Sequence, residues 1–374
     1  MKIALIRQQF RVDGGAERMV MNTLSALSGE DTEFTVIAHK WEKSPEQRPE
    51  IRFLEARRTG WSRLRKQQTF TQSVRELLRQ NTFDIVQSFE RIPGVPVYRA
   101  GDGVHATWLE QKQRMEGPLT RFWTRHDPFH RYLLRQEQAL YQSPELKRVI
   151  CISNMVKADL KNRFDLRDDQ LTLVYNGVDL ERFRPASPEE RQQLRQELGL
   201  PQAACLALFM GSGFKRKGLS LLLEALASVP DAVHLVICGQ DKHRKHYESL
   251  AHALGLQHRV YFRGPVRQPE RYYQCADILV HPAWYEPFGN VVLESLACGT
   301  GVITTCQTGA HELISGSHGV ILETGNTEAL SEALRQALDH CKTWRPPARL
   351  TAEEYGLDRM ATSLRRLYQE LLRT

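Results

Sequence analysis

Two series of short apolar runs, with an amphipathic stretch between one run and the next, constrain this chain more than any other feature. KIALI, FTVIA, FDIVQS and KRVICIS form the first series; CLALFMG, VHLVICG, RVYFRG, DILVHPA and GVITT form the second. The runs are rich in β-branched residues and apolar throughout, as strands of a parallel sheet must be when helices cover both faces. Stretches such as ERMVMNTLSALS and LSLLLEALASV supply the helices. The alternation predicts an α/β chain with two doubly wound, parallel-sheet, Rossmann-like domains. VYNGVDLERFRPASPEE, with its turn residues, proline and charge run, marks the junction. The first domain is expected over 1–177 and the second over 178–357, with an amphipathic helix over about 358–374 packing back on the first. Ligands of open α/β sheets bind beyond the carboxyl ends of the strands. The two domains are therefore expected to face a cleft, with the chemistry in the turns that follow strands.

The class of protein is bounded by composition. At 41% hydrophobic and 25% charged residues, the 374-residue chain reads as globular. The opening MKIALIRQQF is interrupted by Arg7, which marks a buried strand rather than a secretion signal. No apolar run reaches the roughly 18 residues that span a bilayer. The seven cysteines have no C-x-x-C spacing, and most sit in apolar runs, so buried reduced thiols and a cytoplasmic location are expected. The net charge of +7 is one-sided: residues 1–177 hold 29 Lys and Arg against 22 Asp and Glu, and residues 178–374 hold 22 of each. An anionic partner for the first half follows: a phosphorylated substrate, an acidic membrane face or nucleic acid.

Two turns carry the strongest chemical signal. GSGFKRKG follows CLALFMG and precedes a helix. Gly211 and Gly213 allow a tight turn, and Arg216 and Lys217 supply a planar fork and a point charge suited to a diphosphate. The Walker A spacing is absent. HPAWYEPFGNVVLESLACG follows the run DILV. Here Gly289, Asn290 and Val291 open a helix whose first N–H groups lack intrahelical partners and attract phosphate. Glu294 interrupts an apolar face one turn on, placed to accept from the vicinal hydroxyls of a ribose, and Glu286 on the turn would reach a different ring. In the first half, Gly14 and Gly15 in QQFRVDGGAER form another glycine turn before a helix, while Asp102 and His105 share the polar turn YRAGDGVHATW.

Together, G-x-G-F-x-R-K-G and E-P-F-G-N-V-x-L-E, with seven residues between the acids, resemble the retaining GT-B glycosyltransferases that use nucleotide sugars. The similarity extends over essentially the whole chain, including GGAER and YNGVD. GSGFKRKG, EALASVP and CGQDKHRK are similar to the lipopolysaccharide core glucosyltransferases of Gram-negative bacteria. The resemblance implies that Arg216 and Lys217 hold the donor diphosphate, Glu294 the ribose, and Glu286 the hydroxyls of the transferred sugar. Gly211, Gly289, Asn290 and Val291 would line the phosphate and sugar, Gly15 would lie under the diphosphate, and Asp102 and His105 would stand at the reacting face. The expected activity is transfer of a sugar, glucose first, from a UDP-sugar to a lipopolysaccharide core hydroxyl with retention. Other GT-B acceptors, a phospholipid or an O-antigen intermediate, form the alternative.

No Asp-x-Asp element is present, and two cations already face the phosphates, so no metal and no cofactor are expected. ARRTGWSRLRKQQ packs five cations around Trp61, and the stretch from Trp108 mixes cations with Phe122, Trp123, Phe129 and Tyr132. Such a mixture suits a helix lying on an anionic bilayer. Peripheral association with the inner membrane, and a lipid-linked glycan acceptor, are therefore expected. A nucleic-acid partner is disfavoured because no helix-turn-helix or RNA-binding signature accompanies the charge. A dehydrogenase is disfavoured because the first strand lacks G-x-G-x-x-G.

Overall fold

The structure, a computed structural model, describes residues 1–10, 23–24, 32–41, 51–323 and 325–373. Gly14, Gly15 and most of ERMVMNTLSALS lie outside them, and so does the ligand contact expected of Gly15. The chain divides into two compact units, Met1–Asn176 with Asp358–Thr374, and Gly177–Leu357.

Unit one holds a seven-stranded sheet. Its strands are β1 (Lys2–Ile6), β3 (Glu33–Ala38), β5 (Arg52–Glu55), β6 (Ile85–Ser88), β7 (Val97–Arg99), β8 (Arg148–Cys151) and β9 (Leu171–Leu173), in the order β5-β3-β1-β6-β7-β8-β9. Two short segments, β2 (Gln9–Phe10) and β4 (Lys40–Trp41), pair separately. Unit two holds β10 (Cys205–Met210), β11 (Val233–Cys238), β12 (Val260–Gly264), β13 (Ile278–His281), β14 (Gly301–Thr305) and β15 (Gly319–Leu322), in the order β12-β11-β10-β13-β14-β15. All of these pairings are parallel. The edge strand β12, from RVYFRG, is buried only at Gly264. Most of the other apolar runs become strands buried along nearly their whole length: KIALI is buried after its first residue, and GVITT throughout. This is the signature of a sheet covered on both faces.

The described helices of unit one are α1 (Arg63–Gln80), α2 (His105–Arg114), α3 (Pro118–His126), α4 (Pro128–Tyr141) and α5 (Asn154–Arg163). Unit two carries α6 (Pro188–Glu197), α7 (Leu219–Ala227), α8 (Arg244–Ala253), α9 (Pro269–Cys275), α10 (Asn290–Ala297) and α11 (Thr327–Glu353), and α12 (Leu357–Arg373) closes the chain. Local chemistry starts several of them. Ser62 caps α1 by accepting from Arg65 N at 3.1 Å, and Asp127 caps α4 by accepting from Phe129 N at 2.8 Å with Pro128 in the first turn. These caps satisfy N–H groups the helix itself cannot. Buried Leu364, Leu367 and Tyr368 seat α12 in unit one, where the Tyr368 hydroxyl donates to Gln87 Oε1 at 2.7 Å. In unit two the core runs from Phe209 and Phe214 through Leu222 and Ile278 to Leu334 and Trp344.

Candidate active site

The order of unit two's strands brings two turns side by side. From β10 the chain proceeds to β11 and β12 on one side, then returns to lay β13 against the other side of β10. The carboxyl ends of β10 and β13 thus flank a topological switch point, the place where open α/β sheets bind ligands. The turn after β10 is GSGFKRKG and the turn after β13 is PAWYEPFG. Backbone contacts stitch them together. Trp284 N donates to Arg216 O at 2.9 Å. Gly218, in the left-handed region at φ 77°, approaches so closely that a Cβ there would lie 2.2 Å from Pro282 O.

Three predicted site residues meet at this junction. Arg216 Nη1 donates to Glu286 Oε2 at 2.7 Å and to Tyr285 O at 3.0 Å, and Lys217 Nζ donates to the same Oε2 at 2.8 Å. Lys217 is buried, and the space for its stem exists because Gly211 has no side chain: a Cβ there would sit 2.9 Å from Lys217 Cε. Burial alone would raise the Glu286 carboxyl, but Lys217 and then Arg216 outweigh it and hold the group well below the usual carboxylate range. Burial draws the Lys217 ammonium below its ordinary value, and Glu286 opposes that drift.

Gly289, at φ 90°, ends the second turn and caps α10. Asn290 and Val291 are the first residues of α10, and Val292 N donates back to Gly289 O at 2.9 Å. Glu294 has a different hydrogen-bond partner: its Oε2 accepts from the hydroxyl of fully buried Tyr273 on α9 at 2.8 Å. The two acids therefore occupy different settings, one against cations and one against a phenol. Behind Glu286 lies His281, the last residue of β13, fully buried with Nε2 3.8 Å from Glu286 Oε2. Burial, followed by Lys217, keeps its imidazole neutral.

Unit one has its own switch point, between β1 and β6. Arg7 follows β1 and Glu90 follows β6. Arg7 Nη1 lies 3.5 Å from Glu90 Oε1, which also accepts from Gln8 N at 2.9 Å. Asp102 and His105 share one turn but take different partners. Asp102 Oδ2 lies 3.8 Å from Arg7 Nη1 and 3.9 Å from Arg91 Nη1. His105 opens α2; its ring stacks on Trp108, and its Nε2 lies 3.2 Å from His130 Nδ1. Burial, then Arg91, pushes the His105 pKa down to about 3. No side chain caps α2 at Val104; instead Glu137 from α4 accepts from His105 N at 2.8 Å, Ala106 N at 3.3 Å and Arg91 Nε at 2.9 Å.

Sequence reasoning gave no role to Arg7, Glu90, Arg91, Glu137, Tyr273 or His281. Only for His281 was a local signal present, as a histidine ending an otherwise apolar strand. Among the described residues no group of three His, Cys, Asp or Glu side chains is placed to hold a metal ion, and no helix is long and apolar enough to cross a membrane.

Two units of all-parallel α/β build, the second with a basic glycine turn and an acidic turn meeting over its switch point, define a GT-B glycosyltransferase. Comparison with known proteins agrees. The chain belongs to the Glycosyl transferases group 1 family, whose model matches residues 190–351; that of Glycosyltransferase Family 4 matches residues 13–182. The lipopolysaccharide glucosyltransferase WaaG of Escherichia coli (strain K12) is 32% identical over 272 residues, 71% of each chain. A D-inositol 3-phosphate glycosyltransferase of Corynebacterium urealyticum is 28% identical over 324 residues, 81% of this chain and 75% of that one. The crystal structure of WaaG, a glycosyltransferase involved in lipopolysaccharide biosynthesis, superposes with a TM-score of 0.85 at 26% identity, covering 98% of this chain and 99% of that one.

Proposed function

We propose that this glycosyltransferase moves glucose from UDP-glucose to a hydroxyl of the lipopolysaccharide core, with retention at C1. The observation that carries the reading is the convergence of Arg216 and Lys217 on one oxygen of Glu286 beside the β10–β13 switch point. Two cations aimed at one oxyanion are the arrangement a diphosphate requires. In this reading the donor's phosphates take Arg216 and Lys217, with Gly211 giving them close approach to the backbone. The start of α10, through Gly289, Asn290 and Val291, offers N–H groups to phosphate and sugar. Glu286 reads sugar hydroxyls and Glu294 the ribose. Similarity to WaaG supports glucose and the lipopolysaccharide core.

As the bond from C1 to the phosphate oxygen breaks, negative charge grows on the diphosphate. Arg216 and Lys217 meet that charge with little reorganisation. Glu286 serves to position the sugar through its hydroxyls rather than to attack C1, which favours a front-face route. The acceptor oxygen bonds to C1 on the face the phosphate leaves, and its proton passes to the departing phosphate oxygen. With cations already at the phosphates, transfer proceeds without an added metal ion. Asp102 and His105 belong to the reacting face, where the uncharged His105 imidazole can donate one hydrogen bond and accept another.

Unit one supports the reading of acceptor and location. Trp61, Phe122 and Trp123 are 94%, 58% and 71% exposed. Arg63 Nη2 donates to Asp127 Oδ2 at 2.8 Å, tying the start of α1 to the joint between α3 and α4 and gathering two basic-aromatic stretches. A peripheral enzyme on the anionic cytoplasmic face of the inner membrane, acting on a lipid-anchored glycan, fits such a surface.

The test is transfer from a panel of UDP-sugars to a series of truncated lipopolysaccharide cores, with the anomeric configuration of the product read by NMR. An α-glucoside formed from UDP-glucose is expected. Transfer from non-uridine donors alone, or a β-linked product, overturns the reading.

A further inference from the structure

Beside Glu286 stand two buried groups whose side-chain polar atoms have no hydrogen-bond partner: His281, at both ring nitrogens, and Thr308, at its hydroxyl. Both residues are fully buried. Buried polar groups left without partners are costly, so two of them beside one acid call for a physical explanation. Their neighbour is the same acid. His281 Nε2 is 3.8 Å from Glu286 Oε2, about 1 Å beyond hydrogen-bond length. Thr308 and Glu286 pair as an isolated parallel bridge, with Glu286 N donating to Gln307 O at 2.9 Å and Gly309 N to Glu286 O at 2.8 Å. All three surround Gly289: a Cβ there would lie 2.8 Å from Thr308 Cγ2, 3.4 Å from Glu286 Cγ and 3.8 Å from His281 Nε2.

We infer that His281 and Thr308 form a second seat for the Glu286 carboxylate, which it takes when a diphosphate occupies Arg216 and Lys217. The inference rests on the reading of those cations as the donor's phosphate clamp. A diphosphate brings more negative charge to the two cations than one carboxylate oxygen does, and displaces it. A buried carboxylate stripped of its counter-ions needs other donors. The neutral imidazole in its Nε2–H form, 3.8 Å from Oε2, supplies one, and the Thr308 hydroxyl, turned about its own Cα–Cβ bond, supplies the other. No proton is transferred. Seated there, the carboxylate turns its other oxygen towards the sugar, so the acid reads the sugar only after the phosphates are bound. His281 and Thr308 act through Glu286 and are positioning residues.

The full-length protein with 15N-labelled histidine, titrated with inorganic pyrophosphate and then with UDP and UDP-glucose, tests this directly. The His281 resonance, assigned by its loss in His281→Gln, is expected to shift as pyrophosphate saturates and to move less in Thr308→Val. In binding assays, both variants should keep their pyrophosphate affinity. Each should lose about tenfold or more in the preference for UDP-glucose over UDP, the scale of one hydrogen bond to a charged group. Thr308→Ser, which restores the hydroxyl, should behave as the unaltered protein, and it keeps the test valid if His281→Gln misfolds. A His281 resonance that stays still at saturating pyrophosphate overturns the seat, as do variants that weaken UDP and UDP-glucose alike. Failure of the unaltered protein to bind either pyrophosphate or UDP overturns the phosphate clamp itself, and the seat with it.

Discussion

Lys217 and Glu286 form a partly buried ion pair across 69 residues of chain, Nζ 2.8 Å from Oε2. Arg216 binds the same oxygen, so loss of Lys217 leaves the carboxylate with one cation and the fold intact. Lys217→Ala should therefore spare melting temperature more than chemistry. Turnover with UDP-glucose should fall by about 10²–10³, as when a charge-stabilising donor is lost. Lys217→Arg should rescue little, because the stem runs where Gly211 leaves room for nothing broader. Steady-state rates beside UDP affinity decide it: an unchanged turnover with normal binding removes Lys217 from the chemistry.

Gly218 and Gly213 separate strain from collision. Both have φ near 80°, where an L side chain costs about 1–2 kcal/mol. A Cβ on Gly213 meets nothing within 4 Å, whereas one on Gly218 meets the Pro282 carbonyl at 2.2 Å and must push the two site turns apart. Gly213→Ala should lower the melting temperature by about 2–8 °C, at roughly 2–4 °C per kcal/mol for a unit of this size. Gly218→Ala should lower it at least twice as far and abolish UDP binding. Equal effects from the two would mean the turns do not depend on their close approach.

Why some of this could be read in advance, and some not, follows from where the information sits. Strands β1, β3, β10, β11 and β13 were legible because burial on both faces forces an unbroken apolar run. β5, RFLE, at a sheet edge and largely exposed, has no such pressure on its composition. β7 and β9, three residues each, are too short to show a period. Arg216, Lys217 and Glu286 announced themselves by sitting in turns after strands, and Glu294 by interrupting the apolar face of α10. That the first three share one oxygen is a fact of strand order, since it requires β13 to lie beside β10 with β11 and β12 on the far side. Glu137, which caps α2 from α4, looks in sequence like any acid on an amphipathic helix.

His105 gives the fold an acid sensitivity of definite sign. Its folded pKa, about 3, lies below the ordinary 6.5, so below pH 6.5 the unfolded chain binds a proton that the native state refuses. Stability is complete above pH 6.5 and falls with pH down to about 3, by about 1.4 kcal/mol per unit for this one group. By pH 5 that amounts to about 2 kcal/mol. His130 is shifted in the same direction, by burial and then Lys112, and adds to the loss. Urea unfolding at pH 7.5, 6 and 5 should show a shallower decline for His105→Asn than for the unaltered protein. Parallel declines would place the sensitivity elsewhere.

Tyr273 holds Glu294 through one hydrogen bond and contacts no solvent. Tyr273→Phe keeps the ring and removes the donor. If Glu294 reads the ribose, its loss of orientation should weaken UDP binding by about tenfold, the value of one hydrogen bond to a charged group. Pyrophosphate, which has no ribose, should bind as before. Calorimetric titration with both ligands distinguishes the outcomes, and equal weakening of the two would tie Tyr273 to the phosphate subsite instead.

The exposed aromatics of unit one make the membrane reading testable by composition of the bilayer. Of the described side chains of α3 only Thr124 is buried, which leaves Phe122 and Trp123 with Arg121 and Arg125 on the surface. Arg63, hydrogen-bonded to Asp127 and 4.9 Å over the Phe129 ring, anchors α1 beside them, next to Trp61. Each Lys or Arg near an anionic surface contributes about 1 kcal/mol, and the contribution fades as salt shortens the Debye length. Co-sedimentation should therefore be strong with vesicles containing anionic lipid, weak with neutral ones, and lost towards 0.5 M salt. Trp61→Ser with Trp123→Ser should reduce pelleting on anionic vesicles while leaving transfer to a soluble, delipidated acceptor unchanged, because that acceptor needs no bilayer to present it. Equal pelleting on neutral and anionic vesicles removes the electrostatic part. An unaltered response in the double variant removes the aromatic part.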